Sequence, residues 1–284
     1  MPLVNMTEML IKAREDKYAV GAFNILDYNS MKVVVETAQE LQSPVIVQTS
    51  EKTVSFWGFD PIVSWVKELT QNTTVPVAIH LDHCKDLSFI QSCINAGWSS
   101  VMIDASSKPF EENIRLSQQV VKMAKPHGIS VEAELGEIGG IEDDMIIKEE
   151  DVHLASAKKA KIFLEKVKVD CFAPAIGTSH GIYKGEPKIA FERLKEISQL
   201  SDTPLALHGG TGLSEAVFKK CIQLGCAKVN ISTQLKYAFI DGFLYYHQAN
   251  PKEYNPLAVL QAQYSALKIA VAENILLFGS NQRA

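Results

Sequence analysis

The chain lacks the marks of several functional classes. Its five cysteines, Cys84, Cys93, Cys171, Cys221 and Cys226, form no CxxC pair, and their number is odd. Reduced thiols in a cytoplasmic protein are the simplest reading. No run approaches about 18 consecutive apolar residues, so no membrane span is expected. The opening stretch MPLVNMTEMLIKAREDKY interrupts its apolar pattern with charges, unlike a signal peptide. Positive charge is in deficit, with 28 Lys and Arg against 33 Asp and Glu and a net charge of −5. The nearest approach to a basic run, Lys158, Lys159 and Lys161, reads as one solvated helix face, so no nucleic-acid partner is expected. No linker rich in Gly, Ser or Pro divides the chain, which reads as one domain over residues 1–284.

What is present is a repeat. Apolar residues make up 46% and charged residues 21% of the 284, the balance of an ordinary globular protein. Eight short apolar segments each end in a polar or glycine-rich cluster: VGAFNI from Val20, PVIVQTS from Pro44, VPVAIHLDH from Val75, SSVMIDAS from Ser99, SVEAELG from Ser130, CFAPAIGTSHG from Cys171, PLALHGG from Pro204 and KVNIST from Lys228. Stretches with apolar residues near i, i+3, i+4 and i+7 lie between them, as helices with one buried face require. Several of these end in glycine, at Gly97, Gly128 and Gly225. Near-continuous apolar strands suit a parallel sheet covered by helices. Eight β-α units predict an α/β fold, a closed (β/α)8 TIM barrel, with extra C-terminal helices after the eighth strand. The alternative, an open doubly wound sheet, would usually carry a GxGxxG turn after its first strand, and GAFNI has none.

A barrel of this kind places its active site at the C-terminal ends of the strands. The residues expected there are Asn24, then Thr49 and Ser50, then Asp82 and His83, Asp104, Glu134, His180 and Gly181. His208, Gly209 and Gly210 follow on strand seven, and Asn230, Ser232 and Thr233 on strand eight. Three of the seven histidines thus sit at strand ends and can converge on one point. Three imidazoles with one open position are the usual protein share of a catalytic zinc site. A lone histidine would more often be packing; three at equivalent places favour metal. His80 is expected to orient or pack near the site. Asp82 is a partner for a ligand or a general acid. Asp104 and Glu134 can support the metal or bind a second cation. HGGTG and NIST are phosphate candidates, because glycines let backbone N–H groups approach an anion. No strand ends in lysine, and Lys228 reads as opening the eighth strand at the wrong end, which disfavours an imine mechanism. The long acidic gap EIGGIEDDMIIKEED is read equally as a lid or as a solvated surface loop.

The motifs HLDH (80–83), VMIDAS (101–106), SVEAELGEIGGIEDD (130–144), AIGTSHGIY (175–183), LHGGTGL (207–213) and KVNIST (228–233) resemble those of class II ketose-bisphosphate aldolases, in order and over essentially the whole chain. Length and the closing Arg283-Ala284 are most similar to tagatose-bisphosphate aldolase catalytic subunits; fructose-bisphosphate aldolases share nearly every motif. The resemblance implies one catalytic Zn2+ on His83, His180 and His208, with Asp104 and Glu134 at an alternative metal position or a monovalent cation site. It implies Asp82 as proton donor to the aldehyde oxygen and Glu142 as the lid base. Gly181, Gly209, Gly210, Thr211, Asn230, Ile231, Ser232 and Thr233 would bind dihydroxyacetone phosphate, with Ser50 contributing to phosphate binding.

Two departures stand out. HGGTG replaces the more usual HGAS or HGGS, and Thr211 keeps the hydroxyl. Ser232 stands where fructose-type members often carry Asp, which favours tagatose 1,6-bisphosphate weakly over fructose 1,6-bisphosphate. The implied partners are small sugar phosphates, a homodimer or homotetramer, and an accessory subunit as in tagatose-type relatives. The competing expectations are a metal-dependent hydrolase on the same barrel and a non-catalytic subunit of an aldolase complex.

Overall fold

The computed structural model describes residues 3–142, 145–147, 154–181, 183 and 185–284, with only the backbone for 139–142 and 145–147. Its strands are β1 (Val20–Asn24), β2 (Val45–Thr49), β3 (Val77–Cys84), β4 (Ser100–Ile103), β5 (Ser130–Leu135), β6 (Gly139–Glu142), β7 (Met145–Ile147), β8 (Cys171–Pro174), β9 (Ser179–His180), β10 (Leu205–Leu207) and β11 (Cys226–Ile231). The helices are α1 (Thr7–Asp16), α2 (Tyr28–Glu40), α3 (Glu51–Trp57), α4 (Phe59–Thr70), α5 (Leu87–Ala96), α6 (Phe110–Ala124), α7 (Ala157–Lys166), α8 (Phe191–Ser198), α9 (Glu215–Gln223), α10 (Thr233–Ala249) and α11 (Pro256–Phe278). Eight strands close into a parallel barrel in the order β1-β11-β10-β8-β5-β4-β3-β2. Closure runs through the β1–β11 pair, with Val20 opposite Lys228 and Phe23 opposite Ile231.

Local chemistry explains the punctuation. Asp27 accepts from Ser30 N at 2.8 Å, while Ser30 Oγ accepts from Asp27 N at 2.9 Å, a reciprocal cap that starts α2. Asp86 caps α5 in the same region of the fold, accepting from Ser88 N at 2.7 Å. That helix ends on Gly97 at φ 115°, a conformation that costs glycine little.

The barrel interior has two halves. Toward the strand N-termini it is lined by small residues, Ala22, Ala78, Ala173, Ala206 and Ala227, and α1 closes it with Met6, Met9, Leu10 and Ala13. Toward the strand C-termini the buried interior turns polar, with Gln48, His80, Asp82, Glu132, Glu134, Lys228 and Asn230. A second apolar layer fills the space between strands and outer helices. Strands therefore bury both faces, which is why their sequences read as near-continuous apolar runs.

Two elements differ from the sequence expectation. The sixth segment, residues 171–181, is not one strand. β8 stops at Pro174, and Gly177 turns the chain at φ 94°, where a Cβ would meet Lys188 O at 2.4 Å. His180 then lies on β9, in a second sheet ordered β7-β6-β9. The acidic gap after β5 likewise holds a hairpin, β6 with β7, rather than open loop. The expected closing helices are present as α10 and α11. Among the described residues no helix is long and apolar enough to cross a membrane.

Trp98 shows how the outer layer is keyed. It is 1% exposed, and its Nε1 donates to Thr49 Oγ1 at 3.0 Å. Thr49 Oγ1 itself donates to His80 O at 3.2 Å, so its own donor stays satisfied without the indole. Trp98→Phe should therefore lower stability by about 1–2 kcal/mol, as a lost hydrogen bond plus a small packing defect. Urea denaturation should show a lower midpoint at unchanged slope; an unchanged midpoint would remove this bond from the account.

Candidate active site

The site is built on the end of β3. In a regular strand Asp82 and His83 would face opposite sides. Here the pairing of β3 with β4 shifts register between Leu81 and Cys84, and His83 takes φ 48°. This left-handed step is uncommon outside glycine and costs backbone strain. It lets both side chains serve the barrel mouth. The Asp82 carboxylate is buried and accepts from three amides: Asn24 Nδ2 at 3.2 Å, Gln48 Nε2 at 3.4 Å and Asn230 Nδ2 at 3.1 Å.

Next to it, ring nitrogens of His83, His180 and His208 lie within 4.8 Å of one another. His83 Nε2 and His208 Nδ1 face each other at 2.9 Å. The far nitrogen of each of these two rings meets a carboxylate. His83 Nδ1 is 3.1 Å from Asp104 Oδ2, and His208 Nε2 is 2.7 Å from Glu132 Oε1. Carboxylates on the outer nitrogens orient the rings so that the inner nitrogens face the point where a cation would replace the proton they share. A second group, His83 with Asp104 and Glu134, meets the same distance limit.

Electrostatics agree with a divalent cation here. Burial pulls the His83 imidazole down, but Asp82, Asp104 and Glu134 outweigh it and hold the ring well above its ordinary value. Burial, joined by Asp104, pushes the Glu134 carboxyl well above the usual carboxylate range. Burial would also raise Asp104, yet the bonds from His83 and Ser106 keep it below that range. Glu134 Oε2 is buried without a hydrogen-bond partner, 3.8 Å from His83 Nδ1 and 3.7 Å from His208 Nδ1. A buried carboxylate oxygen without a donor is costly, and a cation among the three imidazoles would offset that cost. The residues present therefore fit zinc.

The loops after β10 and β11 form the adjoining wall. A Cβ on Gly209 would meet Ser179 backbone atoms at 2.6–2.9 Å, and one on Gly210 would meet Asn230 O at 2.9 Å. These glycines thus let the His208 loop press against β9 and β11. Thr211 Oγ1 accepts from Gln234 N at 3.3 Å. Ser232 is buried with no hydrogen-bond partner for its hydroxyl, and α10 begins at the next residue. Gly181 turns at φ 86° directly after His180. The Ile231 side chain is fully buried in the core, which leaves only its backbone for any ligand. Ser50 caps α3 at the end of β2, accepting from Thr53 N at 3.3 Å. The backbone of Glu142 ends β6, whereas its side chain lies outside the described residues.

Comparison with known proteins agrees with this geometry. The profile of the family described as "Fructose-bisphosphate aldolase class-II" matches residues 4–283. The chain belongs to the class II fructose-bisphosphate aldolase family. It is 44% identical to the "Probable fructose-bisphosphate aldolase" of Bacillus subtilis (strain 168), over the whole of both chains. It is 40% identical to the "D-tagatose-1,6-bisphosphate aldolase subunit GatY" of Klebsiella oxytoca, over 98% of each. The crystal structure of the YdjI aldolase from Escherichia coli K12 superposes with a TM-score of 0.88 at 34% identity, over 99% of each chain. The protein is therefore a lyase with class II ketose-bisphosphate aldolase activity, in a family that is generally zinc-dependent. The hydrolase alternative has no support.

This class II aldolase contains residues that motif reading passed over. Glu132 and Lys228 are fully buried beneath the site, with Lys228 Nζ 3.0 Å from Glu132 Oε2. Lys228 is thus not outside the wrong end of a strand: β11 begins at Cys226, and the ammonium points into the barrel. The signal available was spacing, since Glu132 and Lys228 each lie two residues before a residue already singled out, Glu134 and Asn230. His80 is buried as a neutral ring, its pKa lowered to about 3 by burial and then by Lys228, with Nδ1 2.7 Å from Ser100 Oγ. Tyr183 ties two loops together: its hydroxyl accepts from Ser179 N at 3.0 Å and donates to Gly209 O at 2.7 Å.

Tyr183→Phe would leave both backbone groups without that partner. We expect a stability loss of about 1–3 kcal/mol, together with weaker zinc retention because His180 and His208 flank the two tied loops. Thermal unfolding and a chelator titration check this; a variant with wild-type values in both would show that the loops hold themselves.

Proposed function

We propose that the chain catalyses reversible, zinc-dependent cleavage of a ketose 1,6-bisphosphate to dihydroxyacetone phosphate and glyceraldehyde 3-phosphate. The observation that carries this reading is the convergence of His83, His180 and His208 beside the triply hydrogen-bonded Asp82. These three histidines would hold one catalytic ion. Asp104 and Glu134, grouped with His83, offer a second cation position. Bound zinc supplies Lewis-acid polarisation of the ketone.

The chain's own residues do the rest. In the synthetic direction Glu142 removes a proton from the hydroxymethyl carbon of dihydroxyacetone phosphate. Its strand supports that role: Gly140, two residues earlier, pairs with His180. The deprotonated carbon attacks the aldehyde carbon of glyceraldehyde 3-phosphate. Asp82 gives its proton to the aldehyde oxygen, and Asn24, Gln48 and Asn230 hold it oriented for that transfer. In cleavage Asp82 takes the same hydroxyl proton back, and Glu142 returns one to carbon.

Phosphate binding falls to the loops after β10 and β11. Gly209, Gly210 and Thr211 form one side, and Asn230, Ile231 (through its backbone), Ser232 and Thr233 the other, with Gly181 and Ser50 at the rim. The 17-residue α10 starts at Thr233 and turns its positive end there. The unpartnered Ser232 hydroxyl adds a donor.

Tagatose 1,6-bisphosphate is the weakly preferred sugar in this reading, because Ser232 replaces the Asp common in fructose-type members and a tagatose-type relative is 40% identical. The fructose reading has an observation of its own in the 44% identical Bacillus protein. We also place the enzyme in the cytoplasm, as one domain that forms a homodimer or homotetramer. Support for assembly comes from the exposed apolar side chains of α10 and α11, among them Ile240, Phe243, Leu257 and Leu260. An accessory subunit, as the word "subunit" in the Klebsiella name suggests for that relative, is part of the proposal.

A coupled cleavage assay with both bisphosphates tests the sugar, and greater kcat/KM with fructose 1,6-bisphosphate would reverse the preference. Chelation should abolish cleavage and added zinc restore it; activity indifferent to chelator would end the metal mechanism. Asp82→Ala should lower kcat by about 10²–10⁴-fold with zinc content unchanged by elemental analysis. Loss of zinc in that variant would reassign Asp82 to holding the ligands.

A further inference from the structure

Among the described residues, Lys228 is the one buried lysine or arginine side chain. It lies on β11 two residues before Asn230, so both point into the barrel. Glu132 and Glu134 repeat that spacing on β5. The interior is thus layered, with Asn230 and Glu134 at the mouth and Lys228 and Glu132 one step below.

The Lys228 ammonium makes two contacts. Its Nζ donates to Asn230 Oδ1 at 2.6 Å and lies 3.0 Å from Glu132 Oε2. An ammonium has donors and no acceptor, so the atom it meets on Asn230 must be the oxygen. That fixes the amide: Nδ2 is left to donate to Asp82 Oδ1 at 3.1 Å. A flipped Asn230 would bring its oxygen against the carboxylate. The second branch runs through Glu132. With Oε2 held by Lys228, Oε1 accepts from His208 Nε2 at 2.7 Å. Nε2 then carries the ring proton, and the lone pair of Nδ1 faces His83 Nε2, 2.9 Å away.

We infer that Lys228 is a positioning residue for both halves of the site, setting Asp82 through Asn230 and the metal-facing nitrogen of His208 through Glu132. This rests on the aldolase reading above. A lysine present only to neutralise Glu132 would need no bond to Asn230 and would affect the metal half alone.

The test compares zinc-loaded Lys228→Met and the double variant Lys228→Met/Glu132→Gln with wild type. Zinc retention against a chromogenic chelator, kcat and KM at saturating zinc, and thermal midpoint are measured for each. Lys228→Met should retain zinc about 10–100-fold less tightly, as outer-sphere changes at metal sites do. Its kcat at saturating zinc should also fall at least about tenfold, with KM within about threefold. The double variant buries no unpaired carboxylate, and the introduced amide oxygen still accepts from His208. It should regain zinc retention to within about threefold of wild type but keep the low kcat, because Asn230 stays unfixed. The double variant alone decides the kcat question if the single one does not fold. Recovery of both zinc retention and kcat in the double variant would overturn the inference, as would a folded Lys228→Met with wild-type values. A wild-type enzyme without chelator-sensitive C–C cleavage would instead overturn the aldolase reading, which the comparison of variants leaves distinguishable.

Discussion

The whole site answers to one constraint, the burial of four carboxylates in the upper half of the barrel. Asp82, Asp104, Glu132 and Glu134 are the buried acidic residues among those described, each no more than 4% exposed. Taking one such charge out of water is expensive unless something answers it. Lys228 answers Glu132, three amides answer Asp82, and His83 with Ser106 answers Asp104. Glu134 keeps one carboxyl oxygen, Oε2, without a hydrogen-bond partner, and burial with the nearby Asp104 drives its carboxyl toward the neutral form. The protein thus holds more negative charge than its own cations cover, at the place where three imidazoles meet. A divalent ion is the cation of matching charge and ligand preference.

The fold makes that concentration affordable to a chain with an otherwise ordinary core. Small side chains and the α1 plug make the lower barrel apolar. Polar residues are confined to the upper half, where strand ends and loops supply amides and hydroxyls. The strain of His83 at φ 48° belongs to the same design, since it turns two consecutive residues of β3 to one task. The second sheet serves it too: β9 carries His180 and pairs with β6, which leads to Glu142, so a metal-facing ring and the proposed base share one backbone platform.

Much of this was legible in the sequence, for a physical reason. Parallel strands sandwiched between an interior and a helical coat are apolar throughout, so a polar residue ending such a run stands out. His83, Asp104 and His208 stand out that way. His180 stands out by the same reasoning but lies on β9 rather than on the sixth barrel strand, because β8 stops at Pro174 and the chain turns at Gly177 before reaching it. Glu132 and Lys228 were missed because both faces of a barrel strand are buried. Alternation then does not separate inward from outward positions, and a mid-strand charge reads as an anomaly rather than a partner. Only closure of the barrel, which pairs Val20 with Lys228, brings β11 across from β5 and makes that ion pair visible.

The central claim is that one zinc ion sits among His83, His180 and His208. Crystals of the zinc-loaded protein, measured on both sides of the zinc absorption edge, test it directly. The account predicts a single dominant anomalous peak about 2.0–2.1 Å from one nitrogen of each of the three rings. A peak that leaves out any of these histidines, or that lies on Cys84 or elsewhere in the fold, would contradict it.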